Sequence, residues 1–268
     1  MKKYYDQSNN RLVFVNEAAT PEYWDKQWET ESLKKNVLSG AHERFVYPHT
    51  KKFLPSGSRI LEAGCGKGHF VYSLHQRNYE AYGIDFAPKT IQQLQEIFPE
   101  IHFTLGDVRS LPYEEAFFDG YWSLGVIEHF FDGYDQIANE MSRVLKNGGY
   151  AFITFPHMSF LRKWKARHGY YELFNTEKID PVHFYQFALD EKTVIKHLKN
   201  LGFSLVYKQP LEGLKGAKDE ITGLPGNVFH SLYKNKSFLG QCLSYVLARV
   251  LAPFSSHSIL LVFRYEKN

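Results

Sequence analysis

Apolar and polar positions along the chain fall into two alternating registers. Short apolar runs that end at Gly or Asp are followed by stretches with the three-to-four-residue repeat of a helix. Arg59 to Ala63 reads as a strand entering a glycine-rich turn, and Phe70 to Gln76 as a helix. Ala81 to Asp85 is a second strand, and Pro88 opens a helix that runs to about Phe98. Ile101 to Leu105 is a third strand, ending at Gly106-Asp107, and Phe118 to Leu124 is a fourth. A helix from Tyr134 to Leu145 stops at Asn147-Gly148-Gly149, and Tyr150 to Phe155 is a fifth strand closed by Pro156. After an aromatic and basic stretch the rhythm resumes. Asp190 caps a helix to about Leu201, Phe203 to Lys208 is a strand, Phe238 to Ala252 is a nearly all-apolar helix ended by Pro253, and Ser258 to Tyr265 is a last strand. Strands alternating with helices in this way predict a doubly wound α/β fold with a parallel sheet, right-handed crossovers and helices on both faces. In such a sheet ligands bind beyond the carboxyl ends of the strands, so the residues that follow each strand are the candidates for chemistry.

The flanks depart from this rhythm. Residues 1–40 are a polar lead-in dotted with aromatics, read as an N-terminal cap segment, with Thr20 as N-cap and Pro21 as first residue of a short helix. A further helix is expected from Ala41 to Leu54. Residues 41–268 then form one domain with insertions at about 157–188 and 209–254. Apolar residues make up 44% and charged residues 23%, ordinary for a globular chain, and a formal net charge of +3 does not demand nucleic acid as partner. Two cysteines are too few for a disulfide framework, and the polar start lacks the apolar run of a signal peptide, so a cytoplasmic setting is expected. The helix at 238–252 is read as too short to span a bilayer unaided, and as a core or dimer helix, or else one that lies on a membrane surface or walls a hydrophobic substrate tunnel. The chain is expected to be a monomer or a homodimer, with peripheral membrane contact, if any, through 238–254.

The chemistry centres on Glu62-Ala63-Gly64-Cys65-Gly66-Lys67-Gly68. Such a turn lets backbone approach a ligand closely, and dinucleotides use it with the spacing G-x-G-x-x-G. Here His69 stands where the third glycine would fall, and Gly68 comes one place early. Glu62, at the end of the first strand, would repel a pyrophosphate and suits a ligand with a cationic amino group. S-adenosylmethionine has an ammonium and a sulfonium and no phosphate, so charge favours it over a nicotinamide dinucleotide. Asp85, ending the second strand, can accept from ribose hydroxyls, with Phe86 beside it for an adenine face. Asp107 and Val108, after the third strand, can accept from the adenine amino group and donate to a ring nitrogen.

Four segments carry a family resemblance: LEAGCGKG (61–68), YGIDFAP (82–88), GDVRSLPYEEAFFDGYWSLGVIEHF (106–130) and MSRVLKNGGYAFITFP (141–156). They resemble the class I S-adenosylmethionine-dependent methyltransferases, and most of all the small-molecule group called type 11. The resemblance implies a Rossmann-like sheet of seven strands, the last antiparallel, and S-adenosylmethionine as cofactor with S-adenosylhomocysteine as product. It implies that Glu62, Gly64, Cys65, Gly66 and Gly68 line the methionine and ribose end, that Leu124 and Gly125 flank the methionine, and that Glu128-His129 sit at the boundary with the acceptor. Both insertions fall where members of the family build substrate caps.

Methyl transfer from a sulfonium is an in-line displacement that depends mostly on alignment and dryness. An alcohol acceptor also needs a base, and His129 is the first candidate, His157 the second. Tyr23, Trp24 and Trp28 are candidates to cover the site and shield a sulfonium. Arg162, Lys163, Lys165, Arg167 and His168 form a basic cluster that suits an anionic acceptor. The expected acceptor is a small molecule, hydrophobic or anionic, free or linked to a lipid or glycan. No metal site and no nucleic-acid partner are expected. A non-catalytic S-adenosylmethionine-binding protein and a nicotinamide-dependent oxidoreductase are the alternatives.

Overall fold

A computed structural model describes residues 2–16, 19–29, 32–175, 183–235 and 237–267. Strands β1 (Lys2–Asp6) and β2 (Arg11–Val15) come first, then helices α1 (Pro21–Trp28), α2 (Leu33–Ser39) and α3 (Val46–Phe53). The regular portion follows: β3 (Arg59–Ala63), α4 (His69–His75), β4 (Glu80–Asp85), α5 (Pro88–Ile97), β5 (His102–Leu105), β6 (Phe118–Leu124), α6 (Asp135–Val144) and β7 (Leu145–Pro156). Beyond it lie α7 (Phe160–Arg167), β8 (Glu172–Leu173), β9 (Phe184–Ala188), α8 (Glu191–Asn200), β10 (Phe203–Leu211), α9 (Gly213–Glu220), α10 (Gly223–Lys234), α11 (Phe238–Ser255) and β11 (Ser258–Tyr265).

The larger sheet has seven strands in the order β10-β11-β7-β6-β3-β4-β5, mostly parallel with the last strand antiparallel. β3 pairs in parallel with both β4 and β6. Chain order therefore runs outward from β3 through β4 and β5 on one side and from β6 to β7 on the other. This reversal puts the switch point between β3 and β6, and the carboxyl ends of those strands are Ala63 and Leu124. Ile60, Leu61, Ile84, Tyr121, Trp122 and Phe152 are almost wholly buried in this sheet. Trp122 stacks on Phe152 at 4.3 Å between ring centroids and donates its indole N–H to Thr50 Oγ1 at 3.0 Å.

The chain gathers into two compact units. One comprises residues 18–153, 196–206 and 262–268, the other 1–17, 154–195 and 207–261. This revises the reading of 1–40 as a single cap segment. Residues 2–15 are a hairpin in a four-stranded sheet, β8-β1-β2-β9, which belongs to the second unit, whereas α1 and α2 belong to the first. The hairpin escaped notice because its alternation is short and its turn, Gln7 to Asn10, carries no glycine. Leu12, Phe14, Met158, Tyr171 and Ala188 form its core.

Other boundaries shift for local reasons. The helix expected from Ala41 begins at Val46, because the Glu43 carboxylate accepts from the N–H groups of Phe45, Val46 and Tyr47 at 2.7–2.9 Å and so caps it. The insertion expected at about 209–254 holds α9 and α10 ahead of α11. Of the insertion at 157–188, residues 176–182 lie outside the described residues. Pro253 does not end α11, which continues to Ser255 and reaches 18 residues, long and apolar enough by length and composition to cross a membrane.

Candidate functional site

A cavity of about 950 Å³ opens beyond the carboxyl ends of β3, β4, β5 and β6, within the first unit. The turn after β3 supplies Gly64, Cys65, Gly66 and Lys67; β4 supplies Asp85, with Phe86 beside it; Gly106 to Arg109 follow β5; Leu124, Gly125, Val126 and His129 follow β6. Trp24 and Trp28 of α1 close one side.

The turn adopts its shape because two of its residues have no side chain. Gly64 has φ +83°, and a Cβ there would lie 2.5 Å from Val126 Cγ2. Gly66 has φ +47° and lies against the Trp28 ring, which a Cβ would approach to 3.0 Å. Gly68 is different. It does not line the cavity but packs under it, where a Cβ would stand 2.7 Å from the Phe103 ring, so its role is close packing rather than ligand contact.

Two buried carboxylates face one another across this turn. Asp85 is 5% exposed and accepts from Gly66 N–H at 2.8 Å and from Ala87 N–H at 3.0 Å. Burial raises its pKa, and those N–H groups oppose the rise. Glu62 is 3% exposed, and its Oε2 has no hydrogen-bond partner among the described residues. Burial, and then the Asp85 charge, push its pKa well above the ordinary glutamate range. A buried carboxylate with an unmet oxygen beside a second carboxylate calls for a cation. The lining as a whole carries five carboxylates (Glu62, Asp85, Asp107, Asp132 and Asp135) against Lys67 and Arg109. Such a field disfavours a pyrophosphate and favours a ligand with a positive centre.

Asp107 occupies its expected place, but its oxygens are engaged. Arg109 clasps it through Nε at 3.0 Å and Nη2 at 2.6 Å, and its own N–H adds a bond at 2.8 Å. Burial would raise the Asp107 pKa, and the guanidinium outweighs it and holds the group lower. Val108 and Phe86 line the cavity as expected.

The aromatic wall is built from α1. Thr20 Oγ1 caps the helix by accepting from Tyr23 N–H at 3.2 Å. Trp24 and Trp28, one turn apart, stack at 5.2 Å, and His129 meets Trp24 edge-on at 5.1 Å. Tyr23 does not line the cavity; it packs edge-on against Trp24. The Trp28 indole N–H is buried with no partner among the described residues, a second unmet polar group on the lining. Asp25 fixes the wall in place. Its carboxylate accepts from Thr90 N–H at 3.1 Å and Thr90 Oγ1 at 3.0 Å, capping α5, whose own N-cap position is the alanine Ala87. Asp25 was not singled out from sequence; an alanine preceding Pro88, with no local cap, was the available signal.

His157 does not line this cavity. It is buried in the second unit, with Nδ1 2.7 Å from Ser256 Oγ and Nε2 3.4 Å from Glu191 Oε2. Burial lowers its pKa against the pull of Glu191. Only His129 of the two candidate bases stands at the cavity. Three of the five residues of the basic cluster are likewise spoken for. Arg162 is 1% exposed and pairs with Glu220 at 3.0 Å, Lys165 pairs with the same carboxylate at 3.0 Å, and Lys163 pairs with Asp190. Lys3 and Tyr171 also bond to Glu220, which makes Arg162 and Lys165 part of a buried ionic staple rather than an anion site, while Arg167 and His168 stay exposed.

With this geometry in hand, the methyltransferase domain family matches residues 61–153. The chain is 29% identical to a probable S-adenosylmethionine-dependent methyltransferase of Mycolicibacterium smegmatis, over 38% of this chain and 39% of that protein. It is 30% identical to phthiotriol/phenolphthiotriol dimycocerosates methyltransferase 1 of Mycobacterium ulcerans, over 41% of this chain and 42% of that protein. Residues 61–153 are a class I S-adenosylmethionine-dependent methyltransferase domain. The chain spans about two fifths of the length of these relatives. The fold of the methyltransferase domain is shared with the PH0226 protein of Pyrococcus horikoshii OT3, at a TM-score of 0.53 and 19% identity, covering 92% of this chain and 97% of that one. S-adenosylmethionine is the cofactor of this methyltransferase class, and the unmet Glu62 oxygen and Trp28 N–H fit a ligand that brings both a donor and an acceptor.

Proposed function

We propose that the chain transfers the methyl group of S-adenosylmethionine to a small or lipid- or glycan-linked acceptor that carries a hydroxyl. The observation that carries this reading is the acidic cavity at the switch point, walled by Trp24 and Trp28, with an unmatched Glu62 at its floor. Bound S-adenosylmethionine supplies the electrophilic methyl group. The protein's part is to hold it and to prepare the acceptor. Glu62 receives the ammonium, Asp85 the ribose hydroxyls, and Phe86 and Val108 the adenine. Trp24 and Trp28 exclude water and present ring faces to positive charge. His129, held edge-on against Trp24, takes the proton of the acceptor hydroxyl. The hydroxyl preference draws on the relative named for phthiotriol and phenolphthiotriol substrates.

Two measurements test the reading. Calorimetric titration is expected to register S-adenosylmethionine and S-adenosylhomocysteine and not NADH; binding of NADH alone would overturn it. In a methyl-transfer assay across hydroxyl acceptors, His129→Ala is expected to lower kcat by about 100-fold or more with cofactor affinity unchanged. An unchanged kcat would reduce His129 to part of the wall.

Glu62 adds a pH signature. Burial, and then the Asp85 charge, raise its pKa, whereas an ammonium beside it favours the carboxylate. Cofactor binding is therefore expected to release a proton, and affinity to rise with pH upward from the ordinary glutamate range. Titrations in two buffers of different ionisation enthalpy count the proton. Glu62→Gln is expected to abolish the buffer dependence and weaken binding about 10- to 100-fold.

A further inference from the structure

α11 is built inside out for a helix in water. Gly240, Ser244, Ala248, Ala252 and Ser255 lie on its inner side, buried or half-buried, while the large apolar residues point outward. Phe238 is 80% exposed, Leu239 79% and Val250 68%, and Leu243, Val246 and Phe254 share that face. The small inner residues let backbone meet backbone. A Cβ on Gly213 of α9 would collide with Ala252 N, and one on Gly216 with Ser255 O. The inner face is thus committed to α9, and the large side chains cannot rotate inward.

The neighbouring helices extend the same surface. Ser244 Oγ of α11 donates to Leu232 O of α10 at 2.7 Å, and α10 exposes Leu224 (84%) and Val228. Phe160 of α7 meets Phe254 at 5.2 Å, and Trp164 of α7 is exposed as well. This exceeds the scattered apolar exposure of a monomer surface and marks an interaction site.

Charge selects the partner. Helices α7, α10 and α11 carry no Asp or Glu. Arg167, Lys234 and Arg249 on them are exposed and have no acidic partner among the described residues, with Arg249 lying 4.3 Å over the Tyr245 ring. A second copy of the chain seated on this face by two-fold symmetry would bring the same cations together with no acid to receive them. An anionic bilayer receives both components, the apolar side chains at the acyl boundary and the long cationic ones at the headgroups. We propose that the face formed by α7, α10 and α11 docks the protein in the plane of an anionic phospholipid membrane surface. The proposal is independent of the cofactor chemistry.

The test is flotation of the full chain with phosphatidylcholine vesicles, with and without phosphatidylglycerol. The wild type is expected to float with the phosphatidylglycerol-containing vesicles, less so at high salt, and about tenfold less with phosphatidylcholine alone. Val246→Glu/Val250→Glu and Lys234→Glu/Arg249→Glu are each expected to lower the bound fraction at least tenfold, with S-adenosylmethionine binding, or failing that the thermal melt, unchanged, since all four positions are exposed. The proposal is overturned if the wild type does not float with anionic vesicles, or if neither double variant changes flotation. It is also overturned if bound protein resists carbonate extraction, as a spanning helix does, or if the wild type is a dimer that Val246→Glu/Val250→Glu dissociates.

Discussion

Asp85→Ala is expected to lower the affinity for S-adenosylmethionine by about a hundredfold or more, the largest effect of any single change in the cavity. The carboxylate has two tasks. It holds the glycine turn by accepting from Gly66 N–H and Ala87 N–H, and its remaining lone pairs face the cavity that it lines. Removing it leaves two buried donors without an acceptor, at about 1–3 kcal/mol each, and removes a charge-assisted acceptor for the ribose. Asp85→Asn does not rescue binding, because its amide sets a donor against one of the same two N–H groups. Asp107→Ala makes the contrast. Asp107 is partly exposed, and its oxygens are already held by Arg109, so its loss is expected to cost less than about tenfold. Calorimetric titration of the three variants, with thermal melts to confirm the fold, reads the order directly. Equal losses for Asp85→Ala and Asp107→Ala would place the cofactor's main anchor elsewhere.

The ranking of these two acids was not legible in the sequence, where both simply end strands. What could be read was whatever a local pattern dictates. The strands from β3 to β7 stand where apolar runs stop at Gly, Asp or Pro, β11 stands on the last apolar run, and Thr20 caps α1 as its type and place require. That a ligand would sit beyond the carboxyl ends of the strands follows from β/α alternation, whereas the switch point between β3 and β6 comes from the strand order. What could not be read depends on partners distant along the chain. Asp25 caps α5 from 65 positions away, and Gly68, indistinguishable in the motif from Gly64 and Gly66, turns out to pack on Phe103. His157 looked equivalent to His129 as a residue following a strand, but it is buried against Ser256 and Glu191. The basic cluster at 162–168 suits an anionic acceptor in sequence because the countercharge of Arg162 and Lys165, Glu220, sits far along the chain on α9. Long-range electrostatic pairing is invisible to a one-dimensional pattern, and in this chain it decided which candidate residues were available for a ligand.

Glu128→Gln is expected to make the protein more stable at alkaline pH, against the ordinary tendency of substitutions at buried positions. Glu128 lies in the short turn Ile127–His129 after β6; it is 2% exposed, and its Oε2 has no hydrogen-bond partner among the described residues. Burial pushes its pKa up to about 8, from 4.5 for an ordinary glutamate. The folded state therefore binds this proton more tightly than the unfolded state. The stability it confers is complete below about pH 4.5 and is lost as pH climbs through 8, with a slope approaching 1.4 kcal/mol per pH unit between the two values. Glutamine has the same shape and does not titrate. The two proteins should differ little near pH 5, and by pH 9 the variant should be ahead by a few kcal/mol. Glu62 and Asp85, whose pKa values burial also raises, tilt both curves in the same direction, so the difference between the curves isolates Glu128. Urea denaturation midpoints measured from pH 5 to pH 9 supply that difference, and parallel curves would mean that the carboxyl is solvated in the folded state. A divergence as expected would show that the turn carrying His129 is held by a neutral acid, so that His129 positioning should be lost near pH 8, where the folded state ionises and the fall in stability that began near pH 4.5 levels off.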